Sequence, residues 1–192
     1  MPLDVGQPAP FVFRNLDSFL IRGKVVVLFS RQFHIYDDAG RLRAYVKRKA
    51  FKLKEDLRVF RDQTMSEQCL HIQPRQTRDF GAVYDVIDST TGIKAGALLR
   101  SDEWILMDRN DREIGSIKEA SVLQRRFLTD LIPQSFEFEV RGRSVGVVRQ
   151  LFNPFAFKSR ADFSADPGGK VLDRRIAFAA VILLSSIEGS KR

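Results

Sequence analysis

The chain has 192 residues, and 44% of them are hydrophobic, including 16 phenylalanines, so it can bury a full core and intrinsic disorder is excluded. Its net charge of +8 and its pI of about 9.9 favour either an anionic partner or a strongly solvated surface. Cys69 is the single cysteine, which excludes an internal disulfide and a thiol-rich zinc site.

The N-terminal segment is rich in proline and is predicted to be an irregular lead-in over residues 1–15, followed by one domain over residues 16–192. Asp4 lies where a secretory signal would carry Lys or Arg, so no signal peptide is expected. The apolar run at 25–29 has the length of a strand rather than of a membrane span. These features predict a soluble, cytoplasmic protein without a transmembrane segment.

Four stretches repeat the pattern of an apolar strand, a turn rich in Asp, Asn or Gly, and a second strand. Turn residues of these types tolerate positive φ or bond their own backbone, as tight hairpins require. The predicted hairpins cover residues 33–46, 83–98, 104–117 and 136–150, and residues 51–60 add two short strands.

Three glycines, Gly96, Gly115 and Gly146, occupy similar places in the return strands of these hairpins. Glycine inside a strand indicates a bulge, a bend or the close approach of another element. All three interpretations are compatible with a barrel that curves around a helix.

A short outer helix is predicted over residues 119–131, because Leu123, Phe127 and Leu131 recur at spacings of four and Pro133 follows as a stop. This helix is expected to cap one end of the sheet.

The C-terminal helix is predicted over residues 172–187, with Asp173 as its N-cap or first-turn acid. Residues 176–184 contain no polar side chain, so every face of the helix must be buried. The run is much shorter than the roughly 20 residues that cross a bilayer. We therefore expect the sheet to close around this helix.

The sequence offers few candidates for catalysis. His34 lies in an alternating strand and is expected to face outward. Cys69 and His71 could form a thiol–imidazole pair, but no third orienting group is evident, and Cys69 is expected to be a small buried residue.

A calcium site is one candidate, because the spacing of Asp108, Asn110 and Glu119 matches positions one, three and twelve of an EF-hand loop. Glu113 stands at position six, where the loop needs glycine, so a hairpin turn is the better interpretation. We expect a non-enzymatic protein without a cofactor or a metal site.

Basic residues are the strongest functional signal. Alternate residues of a strand share a face, so neighbouring hairpins could gather these side chains into a patch that holds lipid phosphates. The alternative is that lysines on outer strand faces only maintain solubility. The candidate ligand-binding residues for anionic lipid are Arg41, Arg43, Lys47, Arg48, Lys49, Lys52, Lys54, Arg141 and Arg143. Arg149 belongs to the group of Arg141 and Arg143, and Lys158 and Arg160 form a third group.

The order of hairpins followed by a hydrophobic C-terminal helix resembles the tubby C-terminal-like superfamily, which includes tubby, the phospholipid scramblases and the LURP-one-related proteins. The resemblance covers about residues 19–187 and is nearest to the LURP-one-related and scramblase branch. The segments that carry it are 33–40 (FHIYDDAG), 47–53 (KRKAFKL), 104–108 (WILMD) with Ile114 and Gly115, and the helix at 173–184.

The resemblance implies a mainly β fold, an antiparallel closed barrel of about twelve strands around the buried C-terminal helix. For some members it also implies binding to phosphoinositides or membrane surfaces. The chain lacks the cysteine cluster of the scramblases, so scrambling activity is not expected.

Three functions remain open. The first is reversible docking on anionic phospholipid headgroups at the periphery of a membrane. The second is binding of an acidic protein or a nucleic acid through the same charge; nucleic acid is disfavoured because only Tyr45 and Phe51 are interleaved with the basic cluster. The third is an enzyme or ligand carrier, which a barrel filled by its own helix disfavours.

Overall fold

The computed structural model describes residues 13–26, 30–48, 56–75, 81–120, 134–151 and 157–187. Twelve antiparallel strands form a closed barrel in which each strand pairs with its neighbours along the chain, and β1 closes the ring against β12. The strands are β1 (Ser18–Val26), β2 (Ser30–Tyr36), β3 (Leu42–Arg48), β4 (Leu57–Phe60), β5 (Gln68–Pro74), β6 (Ala82–Asp88), β7 (Lys94–Arg100), β8 (Trp104–Met107), β9 (Glu113–Glu119), β10 (Ser135–Val140), β11 (Arg143–Leu151) and β12 (Phe157–Asp162).

The helix α1 (Arg174–Ile187) lies inside this barrel and packs against β1, β6, β7 and β12. Every residue from Ile176 to Ser186 is buried. Phe178 stacks on Phe13 and also contacts Phe19 of β1. The predicted fold class, a closed antiparallel barrel of twelve strands around a hydrophobic C-terminal helix, is confirmed.

The first turn of α1 is fixed by polar contacts at one end of the barrel. Asp173 accepts a hydrogen bond from the Arg175 backbone amide through Oδ1, as predicted for an N-cap. Arg174 is almost completely buried, and its Nη2 lies 2.6 Å from Asp17 Oδ1 and donates to the carbonyl oxygen of Asp166. Its guanidinium also lies over the ring of Phe163, at 5.0 Å from the ring centroid.

Five hairpins shift their register close to the turns at this same end, where α1 begins. Each return strand carries one extra residue there. A bulge bends its strand and increases its twist, so a ring of bulges lets the wall curve around the helix. The extra residues are Arg43, Cys69, Ala95, Ile114 and Val145.

Glycine follows the bulge in three return strands, as the sequence indicated. A Cβ atom at Gly96 would clash with Ile176 of α1 and with the carbonyl oxygen of Met107, and one at Gly115 would clash with the carbonyl oxygen of Glu139. The prediction of a bulge or a close approach at these glycines is confirmed.

Two parts of the fold differ from the sequence-based expectation. Glu119, expected to begin the outer helix, is the last residue of β9, and the rest of that predicted helix from residue 121 lies outside the described residues. Strand β12 was not predicted, because its sequence FKSRAD has no clear apolar alternation.

We predict that Ala180→Asp abolishes the cooperative thermal unfolding transition. Ala180 has no solvent exposure inside the barrel, and a carboxylate there would be buried without a partner. Val171→Asp is the matched control, because Val171 is 43% exposed just before α1. Circular dichroism melting curves compare the two variants, and an unchanged transition in Ala180→Asp would contradict the enclosed-helix architecture.

Candidate functional site

Among the described side chains, six basic ones project from the outer surface of one half of the barrel wall. The strands of this half, β11, β12, β1, β2, β3 and β4, are consecutive around the ring. In β1, Phe19 and Ile21 are buried in the core while Arg22 is exposed, and the other strands alternate in the same way. We name this surface the basic face; its residues are Arg22, Lys47, Arg58, Arg149, Lys158 and Arg160.

The register of the strands places these residues directly opposite one another. Arg149 pairs with Arg160 across β11 and β12, and Lys158 pairs with Arg22 across β12 and β1. Lys47 pairs with Arg58 across β3 and β4. The Cβ atoms of directly opposed residues lie about 5 Å apart, so like charges at such positions repel each other and destabilise the sheet. The basic face therefore consists of three such repulsive pairs.

Few carboxylates offset this charge. Arg160 lies 2.9 Å from Asp38, and both side chains are largely exposed. The pKa of Asp162 is lowered mainly by hydrogen bonds from Ser164, with smaller contributions from Arg149 and Arg160. Among the described residues, no carboxylate forms an ion pair with the four other side chains, which are Arg22, Lys47, Arg58 and Lys158.

Aromatic side chains occupy the centre of the basic face. His34 points away from the core, as predicted, but it is only 5% exposed because the rings of Tyr36 and Tyr45 lie beside it. Burial raises the pKa of Tyr45. The guanidinium of Arg22 lies over the Tyr36 ring, at 5.1 Å from its centroid. These contacts make the centre of the face compact.

Arg41 and Arg43, which the sequence placed in the candidate site, lie instead by the turn between β2 and β3, at the end of the barrel where α1 begins. Arg41 Nε donates to Asp37 Oδ2 at 2.9 Å, and Arg43 lies 3.6 Å from the same oxygen. The pKa of Asp37 is lowered, chiefly by the hydrogen bond from the backbone amide of Arg41. Both cations are therefore engaged with the turn carboxylate.

The other residues of the predicted lipid-binding set lie in different parts of the structure or outside the described residues. Arg141 and Arg143 lie at the turn between β10 and β11, again at the end where α1 begins, and only Lys47 belongs to the basic face. The side chain of Arg48 and the residues Lys49, Lys52 and Lys54 lie outside the described part of the chain. The structure therefore does not bring the described members of the predicted set together as one patch.

The sequence analysis missed Arg22 and Arg58, and it grouped Arg149 with Arg141 and Arg143, apart from Lys158 and Arg160. Their common signal is a basic residue at an outward position of an otherwise apolar strand. Pairing of strands that are distant in the chain, such as β1 with β12, is what unites them.

The opposite half of the wall has a different electrostatic character. Arg75 and Lys94 both contact Asp85 and Asp111, which raises the pKa of Arg75 through its hydrogen bonds to the two carboxylates. The outer surface of β9 and β10 carries Glu113, Glu137 and Glu139 against Lys118, which lies 3.1 Å from Glu139. The barrel is thus basic on one side and neutral to acidic on the other.

The thiol–imidazole pair considered from the sequence is not formed. Cys69 Sγ contacts the carbonyl oxygen of Glu67, and burial raises the pKa of the thiol to about 11. His71 does have an orienting group that the sequence did not reveal, because its Nε2 lies 2.9 Å from Asp56 Oδ1. Cys69 is buried, as predicted, and carries no thiolate at neutral pH.

Asp108 stabilises the turn between β8 and β9. Its Oδ1 accepts hydrogen bonds from the backbone amides of Asn110 and Arg112, and the predicted hairpin is confirmed.

Within the described ranges, no three His, Cys, Asp or Glu side chains come together in an arrangement that could hold a metal ion. In the same ranges, no helix is both long and apolar enough to cross a bilayer.

The architecture defines this chain as a closed twelve-stranded antiparallel β-barrel with an enclosed C-terminal helix. A solved structure of a protein from Arabidopsis thaliana is similar to it, with a TM-score of 0.54 and 13% sequence identity over 93% of this chain and 98% of that one. No protein-family model and no curated protein matches the sequence. At this identity the similarity shows the fold alone.

We predict that Cys69 reacts with a thiol reagent such as 5,5′-dithiobis(2-nitrobenzoate) only after unfolding, because the folded protein buries the thiol and keeps it protonated. Val171→Cys provides an exposed thiol as a positive control. Absorbance of the released thiolate follows the reaction at neutral pH. Rapid labelling of the folded wild type would show that the reagent reaches Cys69 in the folded protein.

Proposed function

We propose that this protein is a non-enzymatic binding domain that docks reversibly on anionic phospholipid surfaces through its basic face, as a cytoplasmic protein at the periphery of the membrane. The observation that carries the proposal is the set of three like-charged cross-strand pairs. Such pairs cost stability in the isolated protein, and a surface of negative charge would relieve that cost.

An anionic lipid surface suits the shape of this site. The basic face is spread over the outside of six strands, and its cations are held at fixed spacings by the sheet. A basic residue near an anionic bilayer contributes about 1 kcal/mol of binding, so several cations together suffice for reversible docking. The resemblance to the tubby C-terminal-like superfamily, some of whose members bind phosphoinositides, supports the same choice.

The aromatic residues favour lipid over nucleic acid. Base stacking needs an open ring face. Tyr45 is buried beside His34, and the Tyr36 ring is covered by the guanidinium of Arg22. Neither ring therefore offers a free stacking platform, and Arg22 remains available for phosphate oxygens of a headgroup.

We predict that the protein co-sediments with vesicles of phosphatidylcholine and phosphatidylserine but not with phosphatidylcholine alone. Raising the salt from about 0.1 M to about 1 M should release it, because the Debye length falls from about 10 Å to about 3 Å. The double variant Lys47→Gln, Arg58→Gln should bind about 25-fold more weakly, at about fivefold for each cation.

The matched control is Arg141→Gln, Arg143→Gln, which removes the same charge from the end of the barrel and should keep most of the affinity. An equal loss in both double variants would show that only net charge matters and would contradict a defined basic face. Absence of binding to the anionic vesicles would exclude the lipid proposal and favour an acidic protein or nucleic acid.

A second prediction separates function from stability. Arg58→Glu should raise the melting temperature by about 1–3 °C, because it replaces repulsion from Lys47 with attraction across β3 and β4. The same variant should lose vesicle binding. Arg58→Gln, which only removes the repulsion, should have an intermediate melting temperature, whereas a lower melting temperature in both variants would show that Arg58 stabilises the fold. Differential scanning fluorimetry and co-sedimentation provide the two measurements.

A further inference from the structure

The orientation of the barrel on a membrane follows from where its charges and exposed apolar residues lie. The basic face occupies the side of the wall, from β11 through β12 and β1 to β4, rather than the turns at either end. The surface of β9 and β10 on the adjoining wall exposes Glu113 and Glu137. An anionic bilayer attracts the first surface and repels the second, so the two together select one side of the barrel.

One exposed apolar residue lies on the selected side. Leu151, the last residue of β11, is 39% exposed and pairs directly with Lys158 of the basic face. The other large hydrophobic residues exposed in the described ranges are Met65, Ile93 and Val171, and all three lie in connections at the end where α1 begins. The turns therefore provide a competing, end-on surface that has more apolar area and carries Arg141 and Arg143, while its Arg41 and Arg43 are offset by Asp37.

We propose that the barrel docks on its side and that Leu151 enters the boundary between headgroups and acyl chains. This inference rests on the proposed binding of anionic phospholipid. Lys158 opposite Leu151 and Arg149 two residues before it would contact phosphates while the leucine side chain goes deeper. Basic residues that flank a buried apolar side chain are the arrangement by which peripheral proteins combine electrostatic attraction with shallow insertion.

Three variants that each introduce one cysteine beside the native Cys69, Leu151→Cys, Ile93→Cys and Glu137→Cys, test this orientation. Each is labelled with a polarity-sensitive dye and mixed with vesicles of phosphatidylcholine and phosphatidylserine, and the wild type treated in parallel is the blank for Cys69, which is buried. The dye at position 151 should shift its emission to the blue and be quenched by lipids brominated on their acyl chains. The dyes at positions 93 and 137 should do neither.

A second measurement does not depend on a label. Leu151→Ser should weaken binding to the same vesicles about tenfold, whereas Ile93→Ser, at a residue that is 57% exposed, should leave it unchanged. Both side chains are partly exposed at the surface, so both variants are expected to stay folded, which their thermal melting curves check.

The outcomes separate this inference from the function on which it rests. If labelled protein binds and the dye at position 93 responds instead, docking is end-on and the inference is overturned. If it binds and no dye responds, docking is electrostatic without insertion, which also overturns it and leaves the proposed function standing. If the wild type does not sediment with anionic vesicles, the proposed function fails and the orientation fails with it.

Discussion

The enclosed helix is the constraint on which the rest of the structure depends. A helix with no polar face has to be surrounded, and here the barrel wall surrounds it on every side. The wall curves through a ring of bulges, and glycine is required after three of them because the helix, a neighbouring strand or the ring of Phe163 lies too close for a side chain. Ser185, a polar residue on the buried helix, donates its hydroxyl to the carbonyl oxygen of Val181. The helix therefore occupies the interior of the barrel, and the binding that we propose uses the outer surface.

The outer surface departs from what stability alone would select. On the β5–β9 side, Arg75 and Lys94 each contact two carboxylates, so charge is balanced locally. On the basic face, cations are set against cations across three strand pairs. Proteins keep such local conflicts at functional sites, where a partner supplies the missing interaction. The contrast between the two sides of one barrel points to the basic face as the binding surface.

The sequence predicted those parts of the fold that short-range signals encode. Turn residues identified the four hairpins, and the apolar run at 176–184 identified the helix and its burial. Strand β12, with the sequence FKSRAD, lacks alternation and was missed. Glu119 was read as the start of a helix because helical spacing follows it, although pairing with Phe136 makes it part of β9.

The candidate site was harder to predict because it depends on strand register. Arg41 and Arg43 have the spacing of a shared face, but Asp37 of the adjacent turn binds both, which spacing does not show. Arg22 and Lys158 are far apart in the chain and meet only because β1 closes the ring against β12. Lys47, a member of the predicted set, lies on the basic face, and its cross-strand partner Arg58 was not recognised.

The most direct test of this account is lysine footprinting of the unmodified protein, in which acetylation by acetic anhydride is measured by mass spectrometry with and without anionic vesicles. The account predicts that Lys47 and Lys158 on the basic face are protected in the bound state. Lys118 on β9 and Lys170 before α1 should react as in free solution. Protection of Lys118 or Lys170 with Lys47 and Lys158 still reactive would contradict docking through the basic face.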